Sequence, residues 1–314
     1  MNIDEWRMDK LPLGLKSLDF RTGHLVWLMQ DNDFFHDSIK HLVGDIQKFD
    51  KLPRGLESFE FYDNFSMSQS VQDYVESYKM LPRGLKTLRM HTILPHVLSI
   101  ISNLPRKLEK LYMDFEDTPN AYEYEIRAAD FPPALKELVA DFKNIRIQAS
   151  QLADIPRSLR HIDGMSIGFD SPYVKEVDLR HLVNLEYLAC EIFSKKKIYL
   201  PDSITDLKIN REPVEFPEKL LFLNIDCNIT PDHFGRFPRT LKSITAKSIT
   251  DNKNVEYPPQ LEQLVGERIS IATELLPPTM RLVLATKEYG GNSYQRVEKI
   301  DGPKLVPYNL TPQQ

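Results

Sequence analysis

Cysteine is scarce in this chain: its 314 residues hold only Cys190 and Cys227. Two isolated thiols cannot build a disulfide framework, so the fold must rest on packing alone. Long hydrophobic runs are missing too. No stretch approaches the roughly 18–20 apolar residues of a membrane span. The segment Met1–Arg7 has no basic region leading into an apolar core, so no secretory signal is expected. Nor is there an excess of positive charge: 40 Lys and Arg face 45 Asp and Glu, a net charge of -5. Such a chain has no global field to hold nucleic acid or an anionic membrane, and a basic partner is favoured over an acidic one. The expected setting is cytoplasmic.

What the chain does have is proline in phase. A ten-residue phrase recurs: an apolar residue, Pro, two variable residues, Leu, two variable, Leu, one variable, apolar. It begins with Leu11–Phe20, Leu52–Phe61, Leu81–Met90 and Leu104–Met113, and continues from Pro132, Pro156, Pro201, Pro217, Pro238, Pro258 and Pro277. A twelfth copy has Leu182 in place of the proline. Counting from the proline position, the third and sixth residues are apolar in all twelve copies, from Leu15 and Leu18 to Met280 and Val283. Eleven of the 22 prolines occupy this one position, which chance does not produce.

Proline fixes φ and donates no hydrogen bond, so it suits a turn that feeds a strand rather than the strand itself. The sixth and eighth residues then fall on one strand face at period two. One such strand cannot bury its own leucines, so neighbours must stack into a parallel sheet over a shared core. The phrase resembles the leucine-rich-repeat superfamily, in particular its Pro-containing form. It is similar to the repeats of bacterial effector proteins and to divergent fungal and protist leucine-rich proteins, some of which carry an F-box. The resemblance covers about residues 8–290. It implies an α/β horseshoe with the parallel sheet on its concave face. The family's asparagine, five residues after the second Leu, stands only at Asn64 and Asn228.

The proline positions are spaced 41, 29, 23, 27, 24, 26, 19, 16, 21, 20 and 19 residues apart. Long spacings leave room for convex-side helices up to about residue 155, and the short ones afterwards admit only extended or single-turn returns. Phe35, Ile39, Leu42, Val43 and Ile46 fall at helical spacing, as do Val71, Tyr74, Val75 and Tyr78, and Val97, Leu98 and Ile101. The expected organisation is a solenoid of about twelve repeats over 1–290, with an N-terminal cap or helical insert over about 24–50. Residues 291–314 read as a C-terminal edge or flexible tail.

In this architecture the fifth, seventh and ninth residues after each proline point out of the concave sheet. Acids outnumber bases there: Asp19, Glu60, Asp114, Glu137, Asp141, Asp163, Glu191, Asp206, Asp226 and Glu267 against Arg21, Arg89, Lys110, Lys208 and Lys247. Tyr112, Tyr187 and Phe222 stand among them, and Met165 and Asn210 fall in the ninth column. Aromatics in a charged field are typical interface anchors. The candidate partner-binding residues are Tyr112, Asp114, Asp141, Asp163, Tyr187 and Glu191, for a basic segment of a protein. The alternative is a solvated face whose charges guard against edge pairing. No catalytic or metal constellation stands out, and no cofactor is expected. Cys190 takes an inward strand position, His91 and His161 are on different repeats, and Lys195–Lys197 is a solvated loop run. The expectation is a non-catalytic protein-recognition module. The resemblance leaves open the substrate-receptor part of an F-box-type ubiquitin ligase, or a pathogen effector acting inside host cells.

Overall fold

The computed structural model describes residues 11–20, 35–44, 49–63, 76–92, 100–115, 124–140, 145–168, 173–193, 196–285, 296–300 and 305–309. The chain forms two compact units, Met1–Ser166 and Ile167–Gln314.

The first unit contains β1 (Ser17–Asp19), β2 (His41–Val43), β3 (Ser58–Asp63), β4 (Thr87–Thr92), β5 (Lys110–Phe115), β6 (Tyr124–Glu125), β7 (Glu137–Ala140), β8 (Ile145–Gln148) and β9 (His161–Gly168), the last running two residues past the boundary. Strands β1, β2, β3, β4, β5, β7 and β9 pair in that order, all parallel. Their register aligns equal positions of the repeat: Ser17, His41, Ser58, Thr87, Lys110, Glu137 and His161 stand side by side. The return segments carry a second parallel pair, β6 with β8. Short helical turns occupy the rest, at Phe49–Lys51, 76–78, 100–103, Ala128–Asp130 and Ala149–Asp154.

The second unit contains β10 (Glu176–Asp178), β11 (Tyr187–Ile192), β12 (Lys197–Tyr199), β13 (Asp206–Ile209), β14 (Phe222–Ile229), β15 (Ser243–Thr250), β16 (Gln263–Ser270), β17 (Leu282–Ala285), β18 (Arg296–Ile300) and β19 (Leu305–Asn309). Here β11 and β13 to β17 form the parallel ladder, again position on position. Returns are mostly extended, with β10 paired to β12 and, among the described residues, helix only at Pro231–Phe234 and Thr273–Leu275. Each unit is thus a leucine-rich-repeat-like solenoid, and most of the few short helices described fall in the first.

The mechanics of the phrase are uniform. In every copy the N–H of the third residue donates to the carbonyl of the proline position, at 2.9–3.3 Å, closing the turn that proline's fixed φ prepares. The carbonyl of the fourth residue then accepts two N–H groups from the next copy, as Glu57 does from Lys86 (2.8 Å) and Thr87 (3.0 Å). Hydroxyls at the second residue add a further tie. Ser158 donates to the Pro133 and Leu135 carbonyls, Thr240 to those of Glu218 and Leu220, and Thr279 to those of Pro259 and Leu261. Inward, Leu56, Leu85, Leu108, Leu135 and Leu159 have no exposure, nor do Phe59, Leu88 and Leu111. Each contributes roughly 1.5–3 kcal/mol of burial.

The helix expected across Phe35–Ile46 is not formed over its described part, which holds β2. The segment Phe35–Gly44 is a thirteenth copy, with His36 where eleven of the others have proline: Ile39 N–H donates to His36 carbonyl at 3.0 Å, and Ile39 and Leu42 are buried at 0% and 1%. Apolar residues three apart satisfy the helical period and this phrase alike, so spacing alone could not separate them. The spacing of 41 resolves into 24 and 17. At the eighth position this copy has Gly44, because Phe20 of the first copy fills the space; a Cβ on Gly44 would lie 2.2 Å from its ring. Of the other helical stripes, Tyr78 and Ile101 fall in helical turns and are buried. Ile46, Val71, Tyr74, Val75, Val97 and Leu98 lie outside the described residues. Beyond residue 290, β18 and β19 continue the ladder of β17 in antiparallel fashion.

If Phe35–Gly44 is a repeat, Leu42→Ala should destabilise the protein by about 2–5 kcal/mol, as Leu88→Ala should. Urea unfolding followed by circular dichroism measures this. A loss under about 1 kcal/mol would remove the segment from the repeat core.

Candidate functional site

A parallel ladder in register sets equal repeat positions beside one another, about 4.8 Å apart. Side chains of one column therefore interact as cross-strand neighbours. The fourth column of the first unit shows it: Lys40, Glu57, Lys86, Glu109 and Lys136 alternate in sign. Glu57 pairs with Lys86 at 2.7 Å and with Lys40 at 3.9 Å, and Glu109 pairs with Lys136 at 2.8 Å. The hydrogen bond from Lys86 holds the Glu57 carboxyl below its ordinary value, and that from Lys136 does the same for Glu109. These pairs are exposed, so their contribution to stability is small.

The outward face of the first unit is wired as two connected groups. Tyr112 of β5 donates its hydroxyl to Glu137 Oε2 of β7 at 2.6 Å, and Lys110 Nζ donates to the other oxygen at 2.6 Å. The Arg89 guanidinium of β4 lies 4.6 Å from the Tyr112 ring centroid, a cation–π contact. Beside it, His91 stands between two carboxylates: Nε2 is 3.3 Å from Glu60 and Nδ1 is 3.1 Å from Asp114. The Tyr62 ring stacks on the imidazole with centroids 4.3 Å apart. Burial pushes Glu137 up, but the hydrogen bonds from Lys110 and Tyr112 outweigh it and hold the carboxyl below its ordinary 4.5. Burial, and then the bond to Glu137, push the Tyr112 phenol up, while that carboxylate raises Lys110.

Of the expected site residues, Tyr112, Asp114 and Asp163 lie on this face, all half-buried. Asp141 lies outside the described residues, as do Arg21 and residues 286–295. Tyr187 and Glu191 belong to the second unit. There Tyr187 is half-buried and Glu191 exposed on β11. Tyr187, Asp206 and Phe222 stand in one row across β11, β13 and β14, with Phe222 45% exposed. Two ninth-column residues do not face outward as expected. Met165 is buried to 1% exposure, because Gly164 takes φ +86° in mid-strand and turns the next side chain inward. Asn210 is spent on the backbone: its Oδ1 accepts the Ile192 N–H at 2.9 Å and its Nδ2 donates to the Ile192 carbonyl.

One of the solved structures similar to this chain is the leucine-rich repeat-containing protein LegL7 from Legionella pneumophila, 12% identical, with 79% of this chain and 87% of that chain covered and a TM-score of 0.34. No protein-family model matches this chain. No curated protein is significantly similar to it in sequence.

Other features of chemical interest resolve into structure. Burial pushes the Cys190 thiol up to about 12 and that of Cys227, within β14, up to about 11. Both thiols are therefore protonated and unreactive at neutral pH. A cavity of about 560 Å³ in the second unit is lined by Arg180, Val183, Tyr199, Pro201, Phe216 and Lys219, among others, along the turn edge. Arg180 is already held there, bidentate to Asp178 at 3.0 and 2.6 Å and over the Tyr199 ring at 4.5 Å. Among the described residues no three His, Cys, Asp or Glu gather as a metal site.

The folded value of Glu137 lies below its unfolded one. The stability it contributes is present above about pH 4.5 and lost as pH falls through the folded value. Tyr112→Phe removes one donor, so the Glu137 carboxyl should titrate closer to 4.5 by NMR, and acid unfolding should begin at higher pH. An unchanged titration would mean that the tyrosine hydroxyl does not hold this carboxylate.

Proposed function

We propose that the protein is a non-catalytic recognition module that binds a protein partner by the outward, concave face of its parallel sheets. A leucine-rich-repeat-like solenoid is an architecture suited to protein interaction, since its stacked strands offer an extended surface. The observation that carries the reading is the composition of that face. In the first unit its described residues include Asp19, Glu60, Asp114, Glu137 and Asp163 against Arg89 and Lys110, with Tyr62 and Tyr112 among them. In the second they include Glu191, Asp206, Asp226 and Glu267 against Lys208 and Lys247, with Tyr187 and Phe222.

Such a surface favours a basic segment. Its acids attract the segment and its half-buried aromatic rings supply anchoring area at little entropic cost. The Arg89–Tyr112–Glu137–Lys110 group is held by its own hydrogen bonds, which pre-organises Tyr112. Asp114 and Asp163 retain a free edge to solvent. Two unpaired thiols suit a reducing compartment such as the cytoplasm, and no helix among the described residues is long and apolar enough to cross a membrane.

The test is affinity purification with mass spectrometry, followed by binding measurements on the recovered partner. Asp114→Lys with Asp163→Lys should weaken that partner at least about tenfold while leaving thermal unfolding within a few degrees of wild type. A partner retained at full affinity would take the acidic face out of the reading. Co-purification of a cullin scaffold would favour the F-box-type receptor.

A further inference from the structure

A second charged surface lies away from the outward sheet face, on the turns that feed the strands. The residue after each proline is the first corner of the hydrogen-bonded turn. In three consecutive copies that corner is arginine: Arg54 after Pro53, Arg83 after Pro82 and Arg106 after Pro105. The three turns are built alike, with Leu56, Leu85 and Leu108 N–H groups donating to the proline carbonyls at 3.1, 3.0 and 3.0 Å. The strands that follow, β3, β4 and β5, pair in register. The arginines therefore form one row at the strand pitch of about 4.8 Å. All three are exposed, and no carboxylate pairs with their guanidinium groups among the described residues. Gly55 and Gly84 follow two of them and Lys107 the third, while Asp37, at the same corner of the preceding copy, accepts the Arg54 N–H at 3.2 Å and bounds the row on that side.

The same three strands show that this alignment is not a by-product of the fold. Three residues further on, the fourth column alternates Lys40, Glu57, Lys86, Glu109 and Lys136 and neutralises itself through pairs at 2.7–3.9 Å. Like charges side by side on neighbouring strands are destabilising. Across these three strands the fourth column avoids that arrangement, which it has only further out at Lys16–Lys40 and Lys136–Arg160, while the corner column adopts it over all three. In the second unit the corresponding corner reads Asp202, Glu218 and Arg239, with no like-charged run of bases.

We infer that Arg54, Arg83 and Arg106 form a docking row for an acidic protein segment, best a helix presenting carboxylates three and four residues apart. Charge complementarity sets the sign, and arginine's planar fork takes a carboxylate bidentately. Carboxylates at that helical spacing stand about 5–6 Å apart, close to the pitch of the row. Met80, 58% exposed at the turn leading into Pro82, gives such a helix an apolar contact beside Arg83. A nucleic acid fits less well: it would extend past three residues onto a chain of net charge -5. The row is independent of the acidic sheet face, so either surface can fail without the other.

The test uses the full chain and a fluorescein-labelled helical peptide with Glu along one face, read by fluorescence anisotropy at low and physiological salt. Wild type should bind it, with affinity falling as salt rises. R54Q/R83Q/R106Q should weaken binding about tenfold or more. K175Q/R239Q/K253Q, which removes the same charge from exposed positions of the second unit, should leave it unchanged. Equal thermal unfolding shows that all variants fold. No binding by wild type, or equal loss in both triple variants, overturns the proposal. So does tighter binding of a single-stranded oligonucleotide of matched charge than of the peptide.

Discussion

The rest of the structure depends on one carbonyl per repeat. The fourth residue after the proline position accepts two N–H groups from the next copy, and it does so at each junction between consecutive ladder strands of the first unit and from β11 to β17 in the second. A backbone oxygen has two lone pairs, and here both are used. The doubled bond stands just before the strand starts, so it fixes where each strand begins relative to its neighbour. Register in a sheet is otherwise exposed to slippage by a residue, which would turn every leucine outward. With this point fixed, the third and sixth residues of the copies within each unit meet in that unit's core, and its outward columns line up.

That alignment makes the surface chemistry a matter of columns. A charge on one strand is judged by what stands at the same position one copy away. The fourth column settles its charges within itself. The outward columns settle theirs diagonally as well, with His91 of β4 reaching Glu60 on one side and Asp114 on the other. Tyr112 and Glu137 join β5 to β7 in the same manner. The excess of acid counted along the face is therefore partly internal, and the carboxylates that remain open to solvent are fewer than the count.

The strands were legible because proline and two leucines recur at fixed offsets, and this pattern has no other physical reading. The copy at Phe35–Gly44 was not legible, since His36 removed its marker and Ile39 and Leu42 fit a helix equally well. Met165 was placed outward because strict alternation was assumed, and nothing at Gly164 announces in sequence that φ will turn positive. The site residues could be assigned to a face but not to partners. Pairing across strands depends on rotamers and on which neighbours are adjacent, and irregular spacing hides the latter. The arginine row was spelled out in the phrase Leu-Pro-Arg, but its significance needed the contrast with the column beside it.

The alternating fourth column also bears on how such an array can change its length. From Lys40 to Lys136 the signs alternate from copy to copy, and the alternation ends where Lys16 stands beside Lys40 and Arg160 beside Lys136. Deleting one copy inside that stretch would bring two lysines or two glutamates together, and duplicating one would do the same. Removing or copying two adjacent repeats preserves the order. The charge pattern thus carries a parity, under which gene-level loss or gain is easier by pairs of repeats than by single ones.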